Sequence, residues 1–217
     1  MWNQAKWEPM RKAKNRERIL TASIELFNQS GVVAITTNHI AEHLQISPGN
    51  LYFHFRNKEE IIQELFDQMC RAVYDVWMVQ RKLHTFASPR EMMEATFTVF
   101  FDYRFFHREM YHLRRKDPVL ARKWKTHINK SARLLQAYYA YWVKMGVMAK
   151  VDDPAEKRMI SDVVLITSSS FLQFFESPQK PATKRAIHQG VDHILRLLMP
   201  YYAESHKKVA LASLRGG

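Results

Sequence analysis

Cysteine, glycine and long apolar runs are scarce in this sequence. Among its 217 residues there is one cysteine, Cys70, which excludes an intramolecular disulfide framework and suits a reducing compartment. Apolar stretches such as DVVLITSSSFLQFF are too short, and too often interrupted by polar residues, to span a bilayer. No charged and then apolar leader with a small-residue cleavage site opens the chain. We therefore expect a cytoplasmic protein with no membrane partner.

Six glycines and eight prolines leave room for long helices. Apolar residues recur at intervals of three and four, and no stretch shows the alternation of a half-buried strand. The predicted fold class is therefore all-α. Helices are expected at 15–30, from Thr36, from Ser47, from Asn57 to about His84, from Ser88 to Asp117, at 119–145, from Asp153 to just before Pro178 and from Pro181 to Pro200, with frayed ends at 1–10 and 203–217.

Acidic residues are few beside basic ones: 21 Asp and Glu stand against 33 Lys and Arg, a formal net charge of +12. A field of this sign attracts polyanions, nucleic acid first and anionic membrane surfaces second. Two function classes fit this charge. One is a nucleic-acid-binding protein, and the other is a basic helical scaffold that binds acidic partners or an anionic membrane surface.

The segment ISPGNLYFHFRNK, residues 46–58, contains a short helix that follows the preceding one after only LQIS. This spacing predicts a sharp helix-turn-helix corner, in which Leu51 and Phe55 lie on one face and pack onto the first helix. The other faces carry small, polar and aromatic residues where a surface normally carries Lys and Glu. Such a face suits the groove of a DNA duplex. The alternative is that the rings complete a local core around the turn.

The span from about Arg16 to Leu65 resembles the DNA-binding domain of the TetR family of bacterial transcriptional regulators, through RILTASIELFNQSG, TTNHIAEHLQIS and above all LYFHFRNKEEII. The resemblance implies that the start of the second helix and the third helix contact DNA. It implies that Thr37 and Asn38 contact phosphate or bases. Pro48, Gly49 and Asn50 would lie at base edges in the major groove. The DNA backbone would be contacted by Tyr52, His54 and Lys58, and a thymine methyl group by Phe53. Because proline and glycine side chains form no hydrogen bonds, direct readout rests on Asn38 and Asn50.

The resemblance also implies a two-domain protein. Residues 1–65 would form an N-terminal arm and the helix-turn-helix domain, and residues 66–217 a helical ligand-binding and dimerisation domain. The expected function is a ligand-responsive repressor that acts as a homodimer on a palindromic operator in double-stranded DNA, with a small-molecule effector.

Bulky residues of the second domain form two predicted sites. An apolar pocket would be lined by Phe97, Phe101, Tyr138, Tyr139, Trp142 and Phe171, with Arg104 and His107 placed to meet an acidic head group. A dimer interface would use Met159, Val163, Ile166, Ser170 and Phe174 of one helix and Val191, Ile194, Leu195 and Leu198 of the last. The alternatives are that the pocket residues are core and that the last two helices fold back on their own domain.

Two basic segments allow two interpretations each. The leader RKAKNRER, Arg11–Arg18, is either a solvated tail or an arm that contacts phosphates or the minor groove. The cluster Arg104–Lys130 is either a solvated face or a surface that attracts an anionic ligand or distant phosphates.

The stretch HIAEH, His39–His43, matches a zinc-peptidase pattern, but it lies in the predicted DNA-binding corner and lacks a third ligand. No Ser–His–Asp spacing, phosphate-binding glycine loop or carboxylate pair is apparent. We therefore expect no catalytic residues, no metal and no cofactor, and do not expect an enzyme.

Overall fold

Helices make up almost all of the regular structure. The computed structural model describes residues 4–83, 88–176 and 182–214. Within them an isolated antiparallel bridge joins Met148 to Tyr202, no longer strand occurs, and no helix is long and apolar enough to cross a membrane. The all-α prediction is confirmed. The described residues form α1 (Gln4–Ser30), α2 (Thr37–His43), α3 (Pro48–His54), α4 (Lys58–Leu83), α5 (Pro89–Asp102), α6 (Arg104–Lys116), α7 (Pro118–Lys144), α8 (Pro154–Phe175), α9 (Lys184–Leu197), a 3-10 turn (Met199–Tyr201) and α10 (Glu204–Ser213).

Capping residues set the boundaries of the first four helices. Gly31 ends α1 by adopting a left-handed φ of 79°. The side chains of Thr36 and Ser47 accept backbone N–H bonds at the starts of α2 and α3, and Pro48 occupies the first position of α3, where its missing N–H is harmless. At the start of α4, Asn57 Oδ1 accepts the Glu60 N–H at 2.8 Å. These predicted starts are confirmed.

Two chain ends differ from the prediction. Helix α1 begins at Gln4 instead of about residue 15, because the leader is rich in residues that favour helices. Helix α10 occupies a segment that was expected to fray. Its start is fixed because the Ala149 N–H donates to Tyr201 O at 2.8 Å and the Ala203 N–H donates to Val147 O at 3.0 Å. The predicted start of the last long helix at Pro181 lies outside the described residues.

The single helix predicted from Ser88 to Asp117 is two helices, α5 and α6, because Asn28 takes over two of its backbone groups. Asn28 Nδ2 donates to Asp102 O at 2.7 Å, and Asn28 Oδ1 accepts the Phe105 N–H at 3.1 Å. In an unbroken helix both groups would bond within the helix. Tyr103 instead adopts φ −108° and ψ 33° and separates α5 from α6.

The chain divides into two compact units, Met1–Arg71 with Asp102–Leu120 and Ala72–Phe101 with Ala121–Gly217. By packing, α6 therefore belongs with the helix-turn-helix corner. The functional boundary between residues 65 and 66 stays a prediction.

In the first unit, α6 is attached to α1 through rings and through polar bonds. The rings of Phe27 and Phe105 lie 5.3 Å apart, centroid to centroid. The Arg108 guanidinium donates to Phe27 O at 2.9 Å and to Asn28 O at 2.8 Å, which caps carbonyls at the end of α1. Glu109 Oε1 accepts the Val32 N–H at 2.8 Å. Helix α6 therefore supports the loop that leads into α2.

In the core of the second unit, two buried aromatic side chains, Trp77 and Tyr138, form hydrogen bonds through their polar atoms. Trp77 Nε1 donates to Thr96 Oγ1 at 2.9 Å, and the Tyr138 hydroxyl donates to Trp77 O. The rings of Phe97 and Phe171 stack at 4.1 Å. A Cβ at Gly190 would lie 2.5 Å from Phe171, so glycine is required for α9 to approach this stack.

Candidate DNA-binding surface and internal cavity

The turn between α2 and α3 is tight and contains one residue in the left-handed region. Gln45 has φ 54°, and the neighbouring Ile46 N–H donates to Ala41 O at 3.0 Å. This conformation costs an L-residue roughly 1–2 kcal/mol. The packing below it offsets the cost, since Leu51 and Phe55 are completely buried. The predicted inward positions of these two residues are confirmed.

The opposite side of α3 is exposed. Pro48, Gly49 and Asn50 form its first turn and lie at the surface. The side chains of Tyr52 and Phe53 follow, with exposed fractions of 49% and 68%. Rings this exposed do not complete a local core, so the structure removes that alternative for these two residues.

The start of α2 lies beside this face. Thr37 Oγ1 and the Tyr52 hydroxyl are 3.0 Å apart, so these two predicted contact residues form a hydrogen-bonded pair. Asn38 is exposed next to Thr37, whereas His54 is half-buried with its ring in edge contact with Phe53 at 5.3 Å. The structure thus brings together the predicted residues from both helices.

The Lys58 side chain bonds to the loop between α1 and α2. Its Nζ donates to Val32 O and to Ile35 O, both at 2.8 Å, and the residue is half-buried. The ammonium group therefore caps two carbonyls of the α1–α2 loop, and its contact with the DNA backbone stays a prediction. A pattern match cannot find the bonds to these carbonyls, because the two carbonyls lie more than twenty residues away in sequence.

The two histidines of HIAEH have separate local partners. His39 Nδ1 accepts the Thr36 N–H at 3.3 Å, which completes a capping box, and His43 Nε2 lies 3.6 Å from a Glu25 carboxylate oxygen. Among the described residues no group of His, Cys, Asp and Glu is arranged to hold a metal ion.

One residue of the basic leader is part of the fold. The Arg16 guanidinium lies 4.7 Å from the Phe55 ring centroid and 3.3 Å from a Glu64 carboxylate oxygen. Burial favours the neutral form of Glu64, but the hydrogen bonds and charges of Arg16 and Arg71 outweigh it and lower the pKa of this carboxyl. Arg16 thus links α1 to α4 and to Phe55 at the end of α3, so it is not a tail residue, and a phosphate contact by the leader stays a prediction.

The second unit contains a cavity of about 340 Å³, lined by residues of α5, α7, α8 and the 147–151 segment. Two residues of the predicted pocket, Tyr139 and Trp142, line it. The cavity also has lining that the sequence reasoning missed, above all Lys150, Lys157 and Ser161. The sequence did contain a signal for this lining, because one face of α8 carries Lys157, Ser161 and Val164 at helical spacing.

The other predicted pocket residues do not line this cavity. Phe97 and Phe171 stack on each other beside Gly190, and Tyr138 is buried with its hydroxyl bonded to Trp77 O. Phe101 is half-buried in the same unit. Arg104 and His107 are half-buried residues of α6 and belong to the first unit. A ligand role for these six residues stays a prediction.

Comparison with known proteins identifies the family. Residues 65–209, the larger part of the chain, match the TetR family described as bacterial transcriptional repressor, and residues 19–65 match the description "bacterial regulatory proteins, tetR family". The chain belongs to the TetR family. A crystal structure of a TetR-family regulator from Marinobacter aquaeolei is 32% identical over 92% of this chain and 97% of that one, with a TM-score of 0.79.

Curated TetR-type relatives match over shorter stretches. The HTH-type transcriptional repressor KstR2 of Mycolicibacterium smegmatis is 29% identical over 94 residues, 43% of this chain and 45% of that protein. The class D tetracycline repressor of Escherichia coli is 37% identical over 61 residues, 28% of each chain. The matches thus span less than half of these relatives. TetR-family proteins are DNA-binding regulators and are not normally enzymes, and none of these matches supports a basic scaffold.

TetR-family regulators act as dimers, and the predicted interface residues fall into two groups. On α8, Ile166 and Phe174 expose 66% and 82% of their surface, Met159 and Ser170 are also exposed, and Val163 is half-buried. These five share one side of the helix. The other four residues, Val191, Ile194 and Leu195 of α9 and Leu198 at its end, are instead buried inside their own subunit. Their predicted interface role is wrong, because α9 turns this apolar side toward α8 of the same chain.

The basic cluster Arg104–Lys130 is not one surface. Arg108 caps α1, and the Lys130 ammonium lies 3.4 Å from the Tyr74 ring centroid. Arg115, Lys116 and Arg122 are exposed. A role for these exposed residues beyond solvation stays untested.

Proposed function

We propose that this TetR-family protein is a homodimeric repressor that binds a palindromic operator through α2 and α3 and releases it when a small-molecule effector binds the second unit. A regulator of bacterial genes reaches DNA in the cytoplasm, the location we propose. Two recognition helices must match major grooves about 34–36 Å apart, or a multiple of this spacing. A dimer supplies that pair.

The division of roles on DNA follows from side-chain chemistry. We assign base readout to Asn38 and Asn50, whose amides can pair with base edges. Thr37, Tyr52 and His54 are assigned to the phosphate backbone, and Phe53 to an apolar contact such as a thymine methyl. Pro48 and Gly49 add little bulk and let the backbone approach the groove.

The observation that carries this proposal is the exposed α3 face. Asn50, Tyr52 and Phe53 lie at the surface on a short helix whose other side is anchored by fully buried Leu51 and Phe55. A rigid helix with an exposed aromatic and amide face is what major-groove binding requires, and it is costly to maintain without a partner.

Helix α8 offers a route between effector and dimer. One face, with Ile160, Ser161 and Val164, lines the cavity, while Ile166 and Phe174 are exposed. An effector that shifts α8 would therefore alter the dimer contact and with it the separation of the two recognition helices.

The test is fluorescence anisotropy with the DNA upstream of the protein's own gene and with scrambled DNA of equal length, at about 50 and 200 mM salt. We expect a preference for the upstream fragment of about a thousandfold or more at the higher salt. The proposal would be overturned if both fragments bind equally and lose affinity at the higher salt. The same result must also be obtained with DNA fragments selected from the whole genome.

A further inference from the structure

The cavity of the second unit combines a buried apolar interior with a polar opening. Met93, Trp142, Ile160 and Val164 are buried and form interior walls, whereas Lys150 and Lys157 are exposed. A volume of about 340 Å³ falls within the range of small-molecule sites.

The wall made by the 147–151 segment is held by hydrogen bonds to other parts of the chain. The Tyr139 hydroxyl donates to Ala149 O at 2.9 Å, and the Ala149 N–H donates to Tyr201 O at 2.8 Å. The Ala203 N–H donates to Val147 O at 3.0 Å on the same segment. The cavity is therefore preformed, so a ligand entering it would not have to order the wall.

The charged side chains that line the cavity are both lysines, Lys150 and Lys157. Lys150 Nζ lies 2.6 Å from an Asp152 carboxylate oxygen, in a pair whose side chains are 74% and 78% exposed. The hydrogen bond and charge of Lys150, together with the charge of Lys157, lower the pKa of the Asp152 carboxyl. Burial, together with the charges of Tyr201 and Glu156, raises the pKa of the lining residue Tyr139, so Glu156 is a second carboxylate near the opening, although neither Asp152 nor Glu156 lines the cavity. A pair as exposed as Lys150 and Asp152 is weak, so a second anion can displace or join the carboxylate.

We propose that this cavity binds an amphipathic organic anion, with its apolar body between Trp142 and Val164 and its carboxylate at Lys150 and Lys157. If the protein is the repressor proposed above, such anions are the chemical class of its effector. Neutral apolar molecules would fill the interior but gain nothing at the opening. Organic cations would meet like charge there.

A second cavity in the same unit, of about 490 Å³, does not have this character. Its guanidinium, Arg90, is already bonded to Glu94 at 3.0 Å and to Asp192. A partly buried cation with two acidic partners has little attraction left for a further anion.

Three probes of equal chain length test the charge requirement by isothermal titration calorimetry on the full-length protein. They are decanoate, decanol and decyltrimethylammonium, each below its micelle concentration. We expect decanoate to bind at least tenfold more tightly than either of the others, because only its carboxylate accepts charge-assisted hydrogen bonds from the lysines at the opening.

Variants of the cavity residues test where the probes bind. The double change Lys150→Ala with Lys157→Ala should weaken decanoate about tenfold and leave decanol unchanged. Lys125→Ala should change neither, because Lys125 is an exposed lysine of α7 that lies well before Leu135, the first residue of this helix to line the cavity. Ala140 is exposed and lines the cavity, so Ala140→Trp should weaken both probes without disturbing the core.

Two results would overturn the proposal: equal affinity for all three probes, or a decanoate affinity that neither the lysine pair nor Ala140→Trp changes. Operator binding is measured separately by anisotropy. Specific DNA binding without decanoate binding would reject the ligand class and leave the repressor function standing. Decanoate binding without specific DNA binding would reject the repressor function and leave the anion site standing.

Discussion

At the scale of single residues, Gly49 separates the requirements of the fold from those of DNA binding. A Cβ at this position would have Ser47 Oγ as its nearest neighbour, at 4.0 Å, so the protein itself has room for alanine. Because alanine favours helices, Gly49→Ala should leave the free energy of unfolding unchanged or raise it by up to about 1 kcal/mol. We expect operator affinity to fall roughly tenfold, because the methyl group holds α3 away from the base edges.

Urea unfolding and anisotropy on the same preparation check the Gly49 prediction. Scrambled DNA is the control, and its affinity should change less than that of the operator. Unchanged operator affinity would mean that α3 does not approach DNA through its first turn.

Lys58 has a role in the fold that the sequence did not predict. Two charge-assisted bonds to Val32 O and Ile35 O are lost in Lys58→Met, so we expect the free energy of unfolding to fall by about 1–3 kcal/mol. Lys116→Met, at an exposed site of α6, should leave it unchanged. Full stability combined with a salt slope of DNA binding lower by about one would instead support a phosphate contact.

At the scale of the elements, Asn28 decides where α5 ends and α6 begins. Asn28→Ala leaves Asp102 O and the Phe105 N–H without their partner, and should lower the free energy of unfolding by at least about 2 kcal/mol. Asn28→Asp keeps an acceptor for the N–H but sets a carboxylate oxygen against Asp102 O at a buried site, so it should be destabilising as well. The exposed neighbour Gln29→Ala is the matched control, measured by the same thermal and urea denaturation. If Asn28→Ala and Gln29→Ala are equally mild, another contact holds the break.

At the scale of the whole molecule, the exposed side of α8 that carries Ile166 and Phe174 is expected to hold two subunits together. Ile166→Glu and Phe174→Glu place charge in this apolar surface and should produce monomers in analytical ultracentrifugation, with a loss of operator affinity of at least tenfold. Leu211→Glu, on the partly exposed α10, is the control and should leave the dimer intact. A persistent dimer in both α8 variants would place the interface elsewhere.

Local rules were enough for much of the fold. Thr36, Ser47 and Asn57 begin their helices by accepting the N–H group three residues away, and Gly31 ends one through its own φ. Interactions of this range can be read from neighbouring letters. The split between α5 and α6 cannot, because Asn28 acts on groups more than seventy residues away.

The sequence by itself determined the all-α class and the corner with its buried Leu51 and Phe55, while the exposure of Tyr52 and Phe53 was decided by the structure. The class and the corner depend on spacing along one or two helices, which the chain carries locally. Tertiary structure alone decided that Lys58 caps a loop, that Val191 and Ile194 face inward, and that Lys150 and Lys157 stand at the mouth of a cavity. Each of these depends on which distant segment lies opposite a side chain. Periodicity identifies the apolar face of a helix, and only packing decides whether that face meets its own chain, a second subunit or a ligand.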